Sequence, residues 1–254
     1  MKVLAITQAR YGSTRLPAKI LKTVNDRTLL EIHLSRLLQS KNITKLKVAT
    51  TTEPNAVYIV DVAKKMNVDV YQGSINDVLD RFYHTALPED PDYVVRITSD
   101  CPLIDPLIVD RVIELAINGN FDYVSADTKS FPDGMDVEVF KFSALLKAYD
   151  EATMQSEREH VTSYIWKNGT VKGGNLFKSE KLYCKEDYSN YRMTVDTAED
   201  FELVKRLIEA LGYDKSCEEY VEYLQIHPEI LEINSMYERN EGYMKSINND
   251  KKIK

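Results

Sequence analysis

Apolar residues in the first half of the chain fall in short dense runs, each separated by stretches where they recur every three or four positions. The runs at 3–6, 46–50, 68–71, 93–97 and 121–125 predict buried strands. Between the first two, Leu30, Leu34, Leu37 and Leu38 form an i, i+4, i+7, i+8 stripe that predicts a core-facing helix. Further helices are predicted over 55–66 and 105–118, the latter with Asp105 as N-cap and Pro106 in its first turn. Such alternation implies βαβ units and a mainly parallel sheet, with ligands at the carboxyl ends of the strands.

From 131 to 191 the pattern loosens. Pro132, Asp133 and Gly134 predict a turn, and residues 137–140 alternate like a strand. Helical periodicity is expected over 144–152 and 157–166, a turn at Gly173 and Gly174, and a short strand over 191–195. This region is read as an insertion that covers the site and receives a second substrate. Beyond Glu199 the chain reads as helical, with Phe201, Val204, Leu207, Ile208 and Leu211 as its apolar stripe. Residues 1–246 are expected to form one domain, and 247–254 a polar, frayed tail.

The charge balance sharpens the picture locally. The chain of 254 residues carries a formal net charge of −7, which disfavours nucleic-acid binding. Against that background the loop after the first strand stands out, because Gly12, Ser13 and Thr14 lie among Arg10, Arg15 and Lys19. Small residues let backbone N–H groups converge on an anion, and guanidinium and ammonium groups match its charge. A solvated basic surface is the plain alternative. Neither a Walker A loop nor a G-x-G-x-x-G fingerprint occurs, and no apolar targeting segment precedes the loop. Three cysteines without paired spacing fit neither a disulfide framework nor a zinc site and point to a reducing, cytoplasmic setting. No run is long enough to span a membrane.

Two aspartates end predicted strands on the same rim, Asp100 and Asp196. Carboxylates meeting there near a triphosphate suit Mg²⁺, which shares phosphate oxygens with the protein. Asp196 has an alternative as a helix cap, Asp105 is read as a cap, and Asp200 as a first-turn charge on the helix dipole. Thr50, Gln72 and Gly73 end the second and third strands and suit contacts to a base and ribose. Arg81 either reaches a phosphate or base, or pairs with Asp77 four residues earlier. The densest remaining polar clusters contain Asp136 and Glu138, spaced by two, and Glu159 with His160. His33, His84 and His227 sit in helical patterns and are read as structural.

The segments RYGSTRLPAK (10–19), RITSDCPLID (96–105), REHVT (158–162) and RMTVD (192–196) resemble, in order, the signatures of the nucleotidylyltransferases that activate sugars with CTP. That superfamily includes the acylneuraminate and 3-deoxy-manno-octulosonate cytidylyltransferases, and the chain most resembles its spore coat polysaccharide branch. The resemblance implies a Rossmann-like three-layer α/β sandwich of the nucleotide-diphospho-sugar transferase (GT-A-like) kind. It also implies CMP transfer from CTP to a sugar acid or sugar phosphate with release of pyrophosphate, and a possible homodimer. Ala9, Arg10, Gly12, Ser13, Thr14, Arg15 and Lys19 would hold the nucleotide, with Thr50, Gln72, Gly73 and Arg81 around its base. Asp100 and Asp196 would bind Mg²⁺, and Asp136, Glu138, Glu159 and His160 the sugar. A GT-A-like glycosyltransferase and a non-catalytic nucleotide-binding subunit stand as rival readings; the first would release no pyrophosphate, the second would bind without turnover.

Overall fold

The computed structural model describes residues 1–13 and 15–253. Its seven-stranded sheet is built from β1 (Val3–Gln8), β2 (Lys45–Thr51), β3 (Asp69–Gly73), β4 (Tyr93–Thr98), β5 (Tyr123–Ala126), β6 (Glu138–Lys141) and β7 (Ser179–Leu182). The strand order is β3-β2-β1-β4-β6-β5-β7. All neighbours run parallel except at β6, which is antiparallel to both β4 and β5. The expected mainly parallel α/β sheet is present, and each apolar run predicts its strand to within about two residues. The segment 131–191 contributes β6 and β7 to the sheet itself.

Period-two alternation divides the core between the two faces of the sheet. Val3 and Ala5 of β1 pack with Val95 and Ile97 of β4 on one face, against α1 (Leu29–Leu37), α2 (Val57–Lys65), α4 (Pro106–Asn118), α8 (Ala198–Leu211) and α9 (Cys217–Ile226). Leu4 and Ile6 point to the other face with Phe82 and Leu145, against α3 (Val78–Ala86) and α5 (Phe142–Glu151). Shorter helices complete the chain: α6 (Gln155–Glu159), α7 (Ser163–Lys167), α10 (Pro228–Leu231) and α11 (Glu241–Asn248). Helix starts carry local signals. Thr28 and Glu31 form a capping box on α1, and Asp105 accepts from the Leu107 N–H at 2.8 Å, as expected.

Four expectations need correction. Residues 191–195 are extended but do not form a ladder: Met193 N–H donates to Asp133 O and Val195 N–H to Asp100 O. Their hydrogen bonds go to two loops rather than one neighbouring strand. The helix predicted over 157–166 is broken at His160–Thr162, where Val161 takes φ +56°, a strained conformation for a β-branched residue. Asp200 is more than a dipole charge; it closes the capping box of α8 with Thr197 and is buried. The terminal segment is docked, not frayed. Asp250 accepts from the Ser156 backbone and hydroxyl, and Ile253 N–H donates to Thr153 O at 2.8 Å.

Candidate active site

The strand order reverses at β1, whose neighbours β2 and β4 start off in opposite directions across the sheet. Crevices at the carboxyl ends of strands at such a reversal are where α/β sheets bind ligands. A cleft of about 650 Å³ opens there, with the loops after β1 and β4 on one side and the 133–138 and 159–162 loops on the other.

The first wall is organised around one ammonium. Lys19 Nζ lies 2.8 Å from Asp100 Oδ2 and 2.6 Å from Asp196 Oδ1. Burial opposes the charge on Lys19, but the two carboxylates outweigh it and raise its pKa. Burial likewise disfavours the Asp100 carboxylate, yet Lys19 and the Thr98 hydroxyl hold it well below the usual carboxylate range. Arg15 reaches Asp196 at 2.9 Å and, more loosely, Glu241 at 3.4 Å. Ala18 adopts φ +52°, its N–H donates to Tyr11 O, and buried Ile20 anchors the short helical turn that carries Lys19. Arg10, Gly12 and Ser13 line the same wall, with Arg10 exposed. Thr14 lies outside the described residues.

Asp196 is placed by the core. Buried Asp200 accepts the Asp196 and Thr197 N–H groups, two guanidinium N–H groups of Arg192, and the Asn234 amide. Arg192 also pairs with Asp133 at 2.5 Å. Gly134 is required at this crossing. It takes φ +104°, and a Cβ there would lie 2.7 Å from the Met193 carbonyl carbon and 2.8 Å from the Thr194 nitrogen.

The second wall contains the four expected acceptor residues, all facing the cleft. Glu138 pairs with Arg96 and accepts from Tyr123 and Thr162 hydroxyls, each at 2.6 Å. Asp136 holds Arg239 at 2.6 Å, and Arg239 also donates to the Thr128 and Phe131 carbonyls. Glu159 accepts from Ser246. Burial and nearby Arg96 lower the pKa of His160. Burial and nearby Asp136 outweigh Arg239 and Arg192 at Asp133 and push its carboxyl up to about 7.

The base-side group divides. Arg81 is buried and lines the cleft; its NH1 donates to Ser74 O at 2.7 Å. It does not pair with Asp77, whose carboxylate caps α3 through one oxygen and holds Arg158 at 2.5 Å through the other. Thr50, Gln72 and Gly73 lie outside the cleft lining: Thr50 is buried beneath it, and Gln72 is exposed and donates to Thr51 O. His33 is structural, as expected: its Nε2 lies 2.8 Å from the Thr7 hydroxyl and its Nδ1 2.9 Å from Cys101 O.

Several cleft residues escaped the sequence reading. Arg192 heads a quoted motif, and its spacing to Asp196 was the available signal. Tyr243 carries none, because it sits in a polar terminal stretch and reaches the cleft only through the fold, as Arg239 reaches its partner Asp136.

Comparison with known proteins gives this arrangement a family. A family model described as cytidylyltransferase matches residues 4–235. The structure of a cytidylyltransferase from Leptospira borgpetersenii superposes with TM-score 0.86 at 36% identity, covering 94% of this chain and 100% of that one. An uncharacterized protein of Methanocaldococcus jannaschii is 40% identical over 242 residues, 92% of this chain and 95% of its own length. The spore coat polysaccharide biosynthesis protein SpsF of Bacillus subtilis is 31% identical over 236 residues, 89% and 95% of the two chains. The chain belongs to the cytidylyltransferase family, whose members are CTP-dependent nucleotidyltransferases. The resemblance read from the four motifs is thereby borne out. No helix among the described residues is long and apolar enough to cross a membrane.

Proposed function

We propose that this enzyme transfers CMP from CTP to a sugar acid or sugar phosphate and releases pyrophosphate. The observation that carries the reading is the convergence of Lys19, Arg15, Asp100 and Asp196 at the strand reversal, opposite a separate polar wall. An acceptor oxygen attacks the α-phosphorus of CTP, and the bond from that phosphorus to the bridging oxygen breaks as pyrophosphate leaves. The acceptor's proton passes to solvent, with no side chain assigned as base. Such chemistry rests on positioning and on neutralising charge.

In this reading Arg10, Arg15 and Lys19 supply the positive charge that the triphosphate meets, and the Ala9–Ser13 backbone approaches it closely. Asp100 and Asp196 already share one cation, the Lys19 ammonium, so their oxygens converge as a cation site requires. They would hold Mg²⁺ with phosphate oxygens and water completing its shell, which fits two carboxylates without further acidic or imidazole ligands among the described residues. The ion would neutralise phosphate charge and polarise the phosphoryl group. On the base side the assignment narrows to Arg81, whose buried Nε has no partner among the described residues. Thr50, Gln72 and Gly73 then shape the strand ends behind it.

Asp136, Glu138, Glu159 and His160 face the acceptor in this scheme, and the 131–191 segment is the part of a single 1–246 domain that receives it. The test is a pyrophosphate-release screen of the four NTPs against sugar acids and sugar phosphates with Mg²⁺. Release with CTP and one acceptor is expected. Absence of release with CTP and every acceptor would sink the proposal.

A further inference from the structure

The family match ends at residue 235, yet the cleft does not. Beyond that point Glu238, Glu241 and Tyr243 all line it. The terminal segment crosses the mouth and is tied to both walls. Glu241 meets Arg15 on the nucleotide side, while Arg239 holds Asp136 and Ser246 bonds Glu159 on the acceptor side. Its far end is pinned at Ser156 and Thr153.

Where α11 meets the broken turn after α6, two polar atoms are left without partners. The His160 Nε2 and the Tyr243 hydroxyl are both shut off from solvent and hydrogen-bond to nothing among the described residues. Their rings meet edge-on with centroids 4.9 Å apart, and Trp166 stands 5.9 Å from Tyr243. Leaving a buried hydroxyl and a ring nitrogen unsatisfied is costly, on the order of 1–3 kcal/mol each. Val161, next in the chain, takes φ +56° where the helix is interrupted. Strain and unpaired polar atoms collected at one cleft point to a ligand.

We propose that Tyr243, His160 and Trp166 form a subsite for a hydroxyl-bearing end of the acceptor sugar, and that α11 makes this chain's acceptor specificity. This deepens the reading above and rests on it only for the word acceptor. The chemistry follows from the groups. A sugar hydroxyl both donates and accepts, so one can serve a phenol and a ring nitrogen together. The aromatic rings give the sugar's C–H face an apolar wall. Of the cations near this end, Arg96 and Arg239 are matched by Glu138 and Asp136, while Lys167 and Lys172 stand 6.0 and 5.5 Å from the Trp166 ring centroid.

Trp166 is the chain's single tryptophan and reports on the subsite directly. The full-length protein is titrated with 3-deoxy-manno-octulosonate, N-acetylneuraminate and glucose 1-phosphate, and separately with CTP and Mg²⁺, following Trp166 emission. At least one sugar is expected to shift the emission. Tyr243→Phe should then weaken that sugar by roughly three- to tenfold, and Tyr243→Ala by more, with CTP affinity changed less than twofold. Circular dichroism confirms that each variant is folded. Unchanged sugar affinity in both variants overturns the proposal, and so does the absence of any sugar response. A sugar response without pyrophosphate release would instead remove the transferase reading and leave the subsite standing.

Discussion

On the nucleotide wall of the cleft, Lys19 and Arg15 hold Asp100 and Asp196 through pairs that solvent reaches: these side chains are 13–36% exposed. Behind that wall Arg192 grips an Asp200 that is wholly buried and holds the Asp196 N–H, and across the cleft Glu138 spends its oxygens on Arg96, Tyr123 and Thr162. Partly solvated ion pairs contribute little to stability and exchange partners cheaply. Buried pairs are hard to break, because removing one partner strands the other charge in a low-dielectric interior. The difference teaches a division of labour. The pairs that face the cleft are the ones that can change partners, and the buried pair behind Asp196 is the scaffold that holds the backbone in place.

The strongest way to break this contrast is at its two anchors. Asp200→Ala leaves Arg192 buried with one fewer partner and frees the Asp196 and Thr197 N–H groups. Denaturant unfolding should show a loss of about 3–5 kcal/mol. A loss below 1 kcal/mol would show that the buried pair is no firmer than the cleft-facing ones. Asp100→Asn should do the reverse: pyrophosphate release falls by roughly 10²–10³-fold, while the apo melting temperature stays within a few degrees. Near-normal release would remove Asp100 from any metal role.

A smaller effect comes from beneath the nucleotide wall. Burial, followed by nearby Arg36, outweighs the Cys101 carbonyl and Asp100 and lowers the His33 pKa to about 4. The unfolded chain therefore takes up a proton on His33 that the native state refuses between about pH 6.5 and 4. Stability falls as pH drops through that window. At pH 5 the cost relative to neutral pH is about 2 kcal/mol from this residue. Comparing unfolding at pH 7 and pH 5 in wild type and His33→Gln measures it; an undiminished pH difference in the variant would refute the assignment.

The smallest change is expected where the terminal segment meets the nucleotide loop. Glu241→Gln removes a half-exposed contact to Arg15 and should alter unfolding free energy by less than about 1 kcal/mol. A larger loss would mean that α11 belongs to the rigid scaffold.

Much of the nucleotide wall was legible because its residues lie within a few positions of regular elements. Asp100 comes just after β4, and Lys19 belongs to the cation-rich loop that follows β1, so both were expected on one rim. The base-side group was harder to place, since ending a strand does not say whether a side chain points into the crevice: Arg81 does, while Thr50 and Gln72 do not. The choice for Arg81 turned on Arg158, distant in sequence, occupying Asp77. The break at Val161 and the loss of a strand at 191–195 also depend on distant partners.

By itself the sequence determined the parallel half of the sheet, the cation-rich loop after β1, the strand-end Asp100 and the family. These follow from local periodicity and from motifs whose chemistry is carried by near neighbours in the chain. Only the tertiary structure decided that Arg192, Asp200 and Asn234 lock Asp196 in place, that Gly134 lets two loops touch, and that residues past 235 line the cleft. The physical reason is that long-range hydrogen bonds and buried ion pairs join segments whose own patterns say nothing about what will lie against them.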